Sequence, residues 1–181
     1  VLEEMSKPFR GTKNTTFEGG VRQPAVVRWP GYTKPGTNKD GLMFVSDFFP
    51  TFITLAGGKH EQPWPIDGID MTSMLFDDQE SPRNEIVYDV AGSVRLPTIR
   101  RGDFKLKGDV LYNIREDPAE QTDVATEHHR LVAELKARVA GLGKQRPPLG
   151  DKPLLMDPPL PYVYGLEEQK KIPTWLVQAV D

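Results

Sequence analysis

Four short runs between residues 85 and 114 constrain this chain more than any other feature. "EIVYDV", "SVRLPTIRRG", "DFKLKG" and "DVLYNI" are rich in β-branched and aromatic residues and are separated by Gly-containing turns. Strand-like runs this short and this closely spaced predict an antiparallel meander. The polar turn "EDPAEQTD" follows. "EHHRLVAELKARVAGLG" then places Leu131, Leu135, Val139 and Leu142 on one helical stripe, with Glu134 four residues before Arg138 and Gly141 near the end. An amphipathic helix covering the meander is the expectation.

Upstream, "VRQPAVVRW" (21–29) is β-branched and apolar, bounded by Gly20 before and Pro30-Gly31 after. It predicts a buried strand, with Pro24 near its start, where a lost ladder bond is tolerable. Residues 31–41 are a Gly/Pro/Asn/Lys loop. "FVSDFFPTFITLAGG" sets Val45, Phe48, Phe49, Phe52 and Ala56 at helical spacing, with Ser46 or Asp47 as N-cap, Pro50 in the first turn and Gly57-Gly58 as the stop. Its wide apolar face is expected to pack against a sheet. "DGIDMTSMLF" (67–76) predicts a turn and a short helix. From Lys144 the chain is Pro-rich, with "PPLGDKP", "DPPLPYVYG" and "IPTW", and predicts an extended tail.

The composition, 38% apolar and 27% charged over 181 residues, allows a globular core. A net charge of −3 without a basic stripe argues against nucleic acid as a partner. No apolar run approaches membrane-spanning length and no signal-peptide pattern stands at the N-terminus, so no membrane partner is expected. With no cysteine, neither disulfides nor thiolate metal sites are available, and the compartment is left open.

The stretch "GTKNTTFEGGVRQPAVVRWPG" resembles the segment of type I sulfatases written G-K-x-T-T-[YF]-E-G-G-x-R-x-P, followed by an apolar strand and W/Y-P-G. "VSDFFPTFITLAG" is similar to the family's D-x-x-P-T-x-x-x-L-A-G helix and "DGIDM" to its D-G-x-[DS]-[LM] turn. "IRRGDFKL" resembles R-x-G-x-[YF]-K-L, and "LYNIREDPAEQTDVA" resembles L-Y-[DN]-L-x-x-D-P-x-E-x-x-[ND]-L-A. These motifs fall in the family's order over residues 10–143.

The resemblance implies an α/β fragment. Residues 1–80 would belong to the edge of an alkaline-phosphatase-like sheet domain. Residues 85–143 would form a small antiparallel sheet with its helix, and 144–181 the extended tail. The implied activity is hydrolysis of a sulfate ester through a formylglycine hydrate and a calcium ion. The family's D-N-G motif and its cysteine do not occur here, and the one S-x-P-x-R match, Ser6-Lys7-Pro8-Phe9-Arg10, runs straight into the G-T-K-N-T-T loop, away from the first half where the family carries its nucleophile. Calcium and formylglycine are therefore expected only in an N-terminal half outside this sequence, with neither bound by this chain alone, which is expected to be inactive. The expected partners are the sulfate-ester substrate and that other half, or self-association through an exposed apolar face. Two other readings stay open: a non-catalytic interaction module derived from a truncated sulfatase, and a phosphonate or phosphate monoester hydrolase of the same superfamily.

By resemblance, Lys13 is the catalytic and substrate-binding candidate, because the lysine of G-K-x-T-T contacts the sulfate group. Such transfer develops charge on the sulfuryl and leaving oxygens, which a compact ammonium stabilises. Thr15 and Thr16 either offer hydroxyls near the substrate or tie the loop to its own backbone. Glu18, Gly19, Gly20 and Arg22 read as architecture: the glycines allow a tight turn, and Glu18 pairs with Arg22 or braces Lys13. His60, His128 and His129 lack evident partners and read as solvated. Asp67, Asp70, Asp77 and Asp78 do not have the spacing of a calcium loop and read as turn residues. Trp64, Tyr162, Tyr164 and Trp175 read as packing for Pro-rich segments.

Overall fold

The computed structural model describes residues 6–59, 66–90 and 96–145, all within the compact unit of residues 1–145. In chain order the elements are α1 (Glu18–Val21), a 3₁₀ turn (Val45–Asp47), α2 (Phe48–Leu55), α3 (Thr72–Phe76), β1 (Glu85–Asp89), β2 (Thr98–Arg101), β3 (Phe104–Lys107), β4 (Val110–Asn113) and α4 (His129–Gln145). His60, Trp64, Tyr162, Tyr164, Trp175 and the Pro-rich segment from residue 146 lie outside the described residues.

The meander forms as expected, an antiparallel sheet in the order β1-β2-β3-β4. The two-residue turns Gly102-Asp103 and Gly108-Asp109 join β2 to β3 and β3 to β4, with both glycines in the left-handed region at φ 55° and 61°. Register then decides which side chains share a face. Ile99 lies opposite Leu106, and Leu106 opposite Leu111, while Arg100 lies opposite Lys105, and Lys105 opposite Tyr112. Period-two alternation therefore gives one apolar face and one polar face.

The apolar face carries α4. Leu135 and Val139 of the helix pack with Ile99, Leu106 and Leu111 into the core, and Leu131 and Val132 flank it. The expected Glu134–Arg138 pair is replaced. Glu134 accepts from Arg130 at 3.0 Å, and Arg138 reaches Glu85 of β1 at 2.9 Å, so the helix is pinned sideways to the sheet.

The buried strand expected over 21–29 does not form. Val21 ends α1, and residues 22–29 are extended with no ladder partner among the described residues; Val26 is 93% exposed and Val27 45%. A strand is a product of pairing, so a run with strand composition and no neighbour stays a bare extended segment. The Phe-rich helix does form, later than its spacing suggests. Gly57 (φ 73°) donates to the Thr54 carbonyl and Gly58 to that of Ile53, the paired bonds of a Schellman stop. Yet Val45, Phe49 and Phe52 are 71%, 54% and 60% exposed, so the apolar face is not packed on a sheet.

Asp47 anchors the start of α2 through its carboxylate instead of through an ordinary N-cap bond. Wholly buried, it accepts the Phe44 and Ile69 amides at 2.7 and 2.8 Å and both arms of Arg83 at 2.7 and 2.5 Å. One bidentate ion pair thus ties the 67–70 turn and the entry to β1 onto the helix.

Candidate functional site

The opening loop is closed at its base by the Gly19 amide, which donates to the Arg10 carbonyl at 2.8 Å. A Cβ on Gly19 would lie 2.3 Å from the Gly11 carbonyl oxygen, and one on Gly20 2.4 Å from that of Thr15. The glycine pair is thus required by close approach of loop to helix, and not by the tight turn expected from sequence. Thr15 donates to the Thr12 carbonyl at 2.8 Å, knotting the loop internally. Lys13 and Asn14 stand exposed at the tip, Asn14 with φ 72°. Lys13 has no ion-pair or hydrogen-bond partner among the described residues.

Below the tip, the loop covers the polar face of the sheet. Thr16 is buried, 3.0 Å from the Thr98 hydroxyl, and accepts from the Lys107 ammonium at 2.7 Å. Phe17 lies under two cations, Arg10 at 4.2 Å and Lys107 at 4.4 Å from its ring centre, and meets Tyr112 edge-on at 6.5 Å.

Glu18 is 1% exposed. Register places Arg100 directly opposite Lys105, and like charges facing across strands repel unless an anion intervenes. Glu18 is that anion, 3.2 Å from Arg100 and 3.0 Å from Lys105, with Arg22 more distant at 3.9 Å. The expected pairing with Arg22 is therefore a minor contact, and Glu18 is directed at the sheet instead of at Lys13.

Glu120 completes the cluster from the turn after β4. Its Oε1 lies 2.9 Å from the Lys105 ammonium as an ion pair outside hydrogen-bond angles, and its Oε2 accepts the Glu18 amide at 2.6 Å. Two carboxylates and two cations balance, as burial demands. Burial first, and then the Glu18 anion, push the neighbouring Tyr88 phenol well above its ordinary range.

The remaining candidates lie apart from this loop. His128 packs its ring 4.8 Å from that of Phe104, and His129 is exposed at the start of α4. Asp70 accepts the Thr72 amide at 2.9 Å, opening α3. Asp78 takes Lys34 and Lys39, whose hydrogen bonds hold its carboxyl down at about 2. Among the described residues no three His, Asp or Glu side chains converge as a metal site. No helix among them is long and apolar enough to cross a membrane. An open groove floored by Glu18, Tyr88 and Arg100 runs beside the extended 22–28 segment, and Lys13 does not line it.

Sequence reasoning missed Lys105, Arg100, Glu120 and the Asp47–Arg83 pair. "FKLK" reads as apolar-in and polar-out, and the polar side turns out to be buried. A usable signal was present, since the two-residue turn at Gly102 fixes a register that sets two cations opposite each other.

The four-stranded meander with its covering helix, and the Lys-bearing Gly/Thr loop that caps its polar face, lie together within a match to a sulfatase family. The chain belongs to that family: the family described as N-sulphoglucosamine sulphohydrolase, C-terminal, matches residues 12–145. Arylsulfatase A of Bos taurus is 36% identical over 118 residues, covering 61% of this chain and 23% of that protein. Arylsulfatase G of Canis lupus familiaris is 34% identical over 97 residues, covering 51% of this chain and 18% of that protein. The matched part thus spans about a fifth of these relatives' length. Among solved structures, Ps i-CgsB in complex with k-i-k-neocarrahexaose superposes with a TM-score of 0.66 at 26% identity, over 76% of this chain and 32% of that one. A second, from work on glycosaminoglycan metabolism in Bacteroides thetaiotaomicron, shares the fold with a TM-score of 0.64 at 23% identity, over 75% and 32%.

Proposed function

We propose that this chain is the C-terminal part of an enzyme that hydrolyses a sulfate ester, and that Lys13 is its sulfate-contacting cation. Membership of the sulfatase family and the names of the arylsulfatase relatives support the reaction class. One observation supports the role of Lys13: the loop is fixed from Arg10 to Gly20, yet its only lysine is left exposed and unpaired among the described residues. A flexible side chain on a rigid platform is a suitable donor to charge that develops during reaction.

As the bond between sulfur and the leaving oxygen breaks, negative charge grows on that oxygen and on the sulfuryl oxygens. The ammonium of Lys13 would meet it as a point charge. Thr15 and Thr16 serve the substrate site through the loop, Thr15 by its bond to Thr12 and Thr16 by its bonds to the sheet. In this reading the nucleophile and calcium come from a segment outside these residues, within an alkaline-phosphatase-like sheet domain whose edge residues 1–80 help to complete.

The test is made in the complete enzyme, from a longer gene or with the N-terminal half supplied. Lys13→Ala should lower kcat by about 10²–10³, and Lys13→Arg should restore only part, since a planar fork does not occupy the place of an ammonium. Lys34→Ala, at an exposed pair with Asp78, should leave kcat unchanged. Loss of activity in Lys34→Ala with kcat intact in Lys13→Ala would reverse the assignment. The 181-residue chain alone should not hydrolyse an aryl sulfate above background, and a phosphate monoester assayed in parallel decides between the two ester classes.

A further inference from the structure

The opening loop is held at both ends by one residue of the small sheet's far turn. The Arg10 guanidinium donates to the Glu120 carbonyl at 2.9 Å, and the Glu120 carboxylate accepts the Glu18 amide at 2.6 Å. Between these two points lies the loop with Lys13 at its tip, closed by the Gly19 amide on the Arg10 carbonyl at 2.8 Å. Glu120 reaches this position with φ 54°, a left-handed conformation that a non-glycine residue keeps only where surrounding contacts impose it. Lys105, 0% exposed, lies 3.0 Å from Glu18 and 2.9 Å from Glu120, so the two carboxylates can share one buried site. Buried ion pairs contribute little net stability compared with apolar packing, and their best-attested use is to fix a register. Here the register concerns residue 10 against residue 18.

We propose that Glu120, supported by Lys105, is a positioning residue for Lys13: it clamps both ends of the opening loop and so sets where the ammonium stands. The proposal rests on the reading of Lys13 given above. Displacement of a positioned group by about 1 Å costs on the order of 10² in rate. The reach of Glu120 is indirect, so its removal should act only through the lysine.

The experiment is a double-mutant cycle on kcat in the complete enzyme, with hydrogen–deuterium exchange of the peptide spanning residues 10–21 as a second readout. Glu120→Ala should lower kcat by about 10- to 100-fold with Lys13 present and leave it unchanged when added to Lys13→Ala. Glu120→Gln keeps a carbonyl acceptor for the Glu18 amide and should recover much of the loss. Exchange in residues 10–21 should rise in Glu120→Ala and return towards the parent in Glu120→Gln. Equal kcat losses in both Lys13 backgrounds, or unchanged exchange in Glu120→Ala, would overturn the positioning role. If exchange rises as expected while Lys13→Ala itself leaves kcat intact, the clamp on the loop stands. In that case the catalytic reading of Lys13 fails, and the positioning of a catalytic group fails with it. Should Glu120→Ala not fold, Arg10→Ala, which removes the bond to the Glu120 carbonyl at the clamp's other end, carries the same cycle, with a loss of kcat expected only where Lys13 is present and equal losses in both backgrounds overturning the proposal.

Discussion

Gly20 shows how a single absent methyl group can decide a loop. Its hypothetical Cβ would lie 2.4 Å from the Thr15 carbonyl and 2.5 Å from that of Thr12, and neither oxygen can retreat without unwinding the turn that carries Lys13. Gly20→Ala should therefore destabilise the protein by about 1–3 kcal/mol, read as a fall in Tm. Gly141→Ala is the control. It points into open space from α4 and should stabilise by about 0.5–1 kcal/mol. Lys105→Ala should cost more, about 3–5 kcal/mol, because it leaves the Glu18 and Glu120 carboxylates buried together. Denaturant melts of the three variants would rank them. At this scale the sequence was legible in part. That two adjacent glycines mark a backbone constraint could be read directly, but the partner that imposes it could not. Glu18 looked local because Arg22 stands four residues away, whereas its main partners lie across the fold at Arg100 and Lys105.

Elements defined by their own periodicity were the readable ones. The meander and α4 follow from alternation and from the Leu131-Leu135-Val139-Leu142 stripe, signals complete within each segment. The 21–29 segment failed because its signal was composition alone, and pairing depends on a neighbour that composition does not supply. Two outcomes follow for the sheet and its helix. Leu135→Ala, at a fully buried site against Ile99 and Leu106, should cost about 2–5 kcal/mol in a denaturant melt, and Leu142→Ala, only half-buried, less. Glu85 joins β1 to β2 through Arg101 and to α4 through Arg138. Burial works upward on its carboxyl, but hydrogen bonds from Arg101 and Arg138 outweigh it and hold the group below its ordinary 4.5. A carboxyl lowered by folding stabilises fully above its unfolded value and loses that contribution as pH falls through the folded one. Stability should therefore decline below about pH 4.5, and Glu85→Gln should flatten that limb of a Tm-against-pH curve while leaving the neutral region lower and level.

At the scale of the whole molecule, two apolar segments stand uncovered while the small sheet is covered on both faces. Val26, Val45, Phe49 and Phe52 are 93%, 71%, 54% and 60% exposed, although each belongs to a run whose composition predicts burial. Agreement between composition and environment is what a foldable sequence normally shows, so local disagreement is what surface built for a partner would show. Exposed apolar area of this kind drives association in water. The 181-residue chain alone should therefore self-associate, giving a mass by light scattering that rises with concentration. Val26→Lys and Phe52→Glu together should shift the equilibrium back towards monomer without lowering Tm, because neither side chain is part of the core. Supplying the N-terminal half should have the same effect on the unmodified chain, with the two halves eluting together. A monomer at every concentration, unchanged by either treatment, would mean that these residues are ordinary exposed surface, and that the small sheet with its clamped loop is a self-sufficient unit.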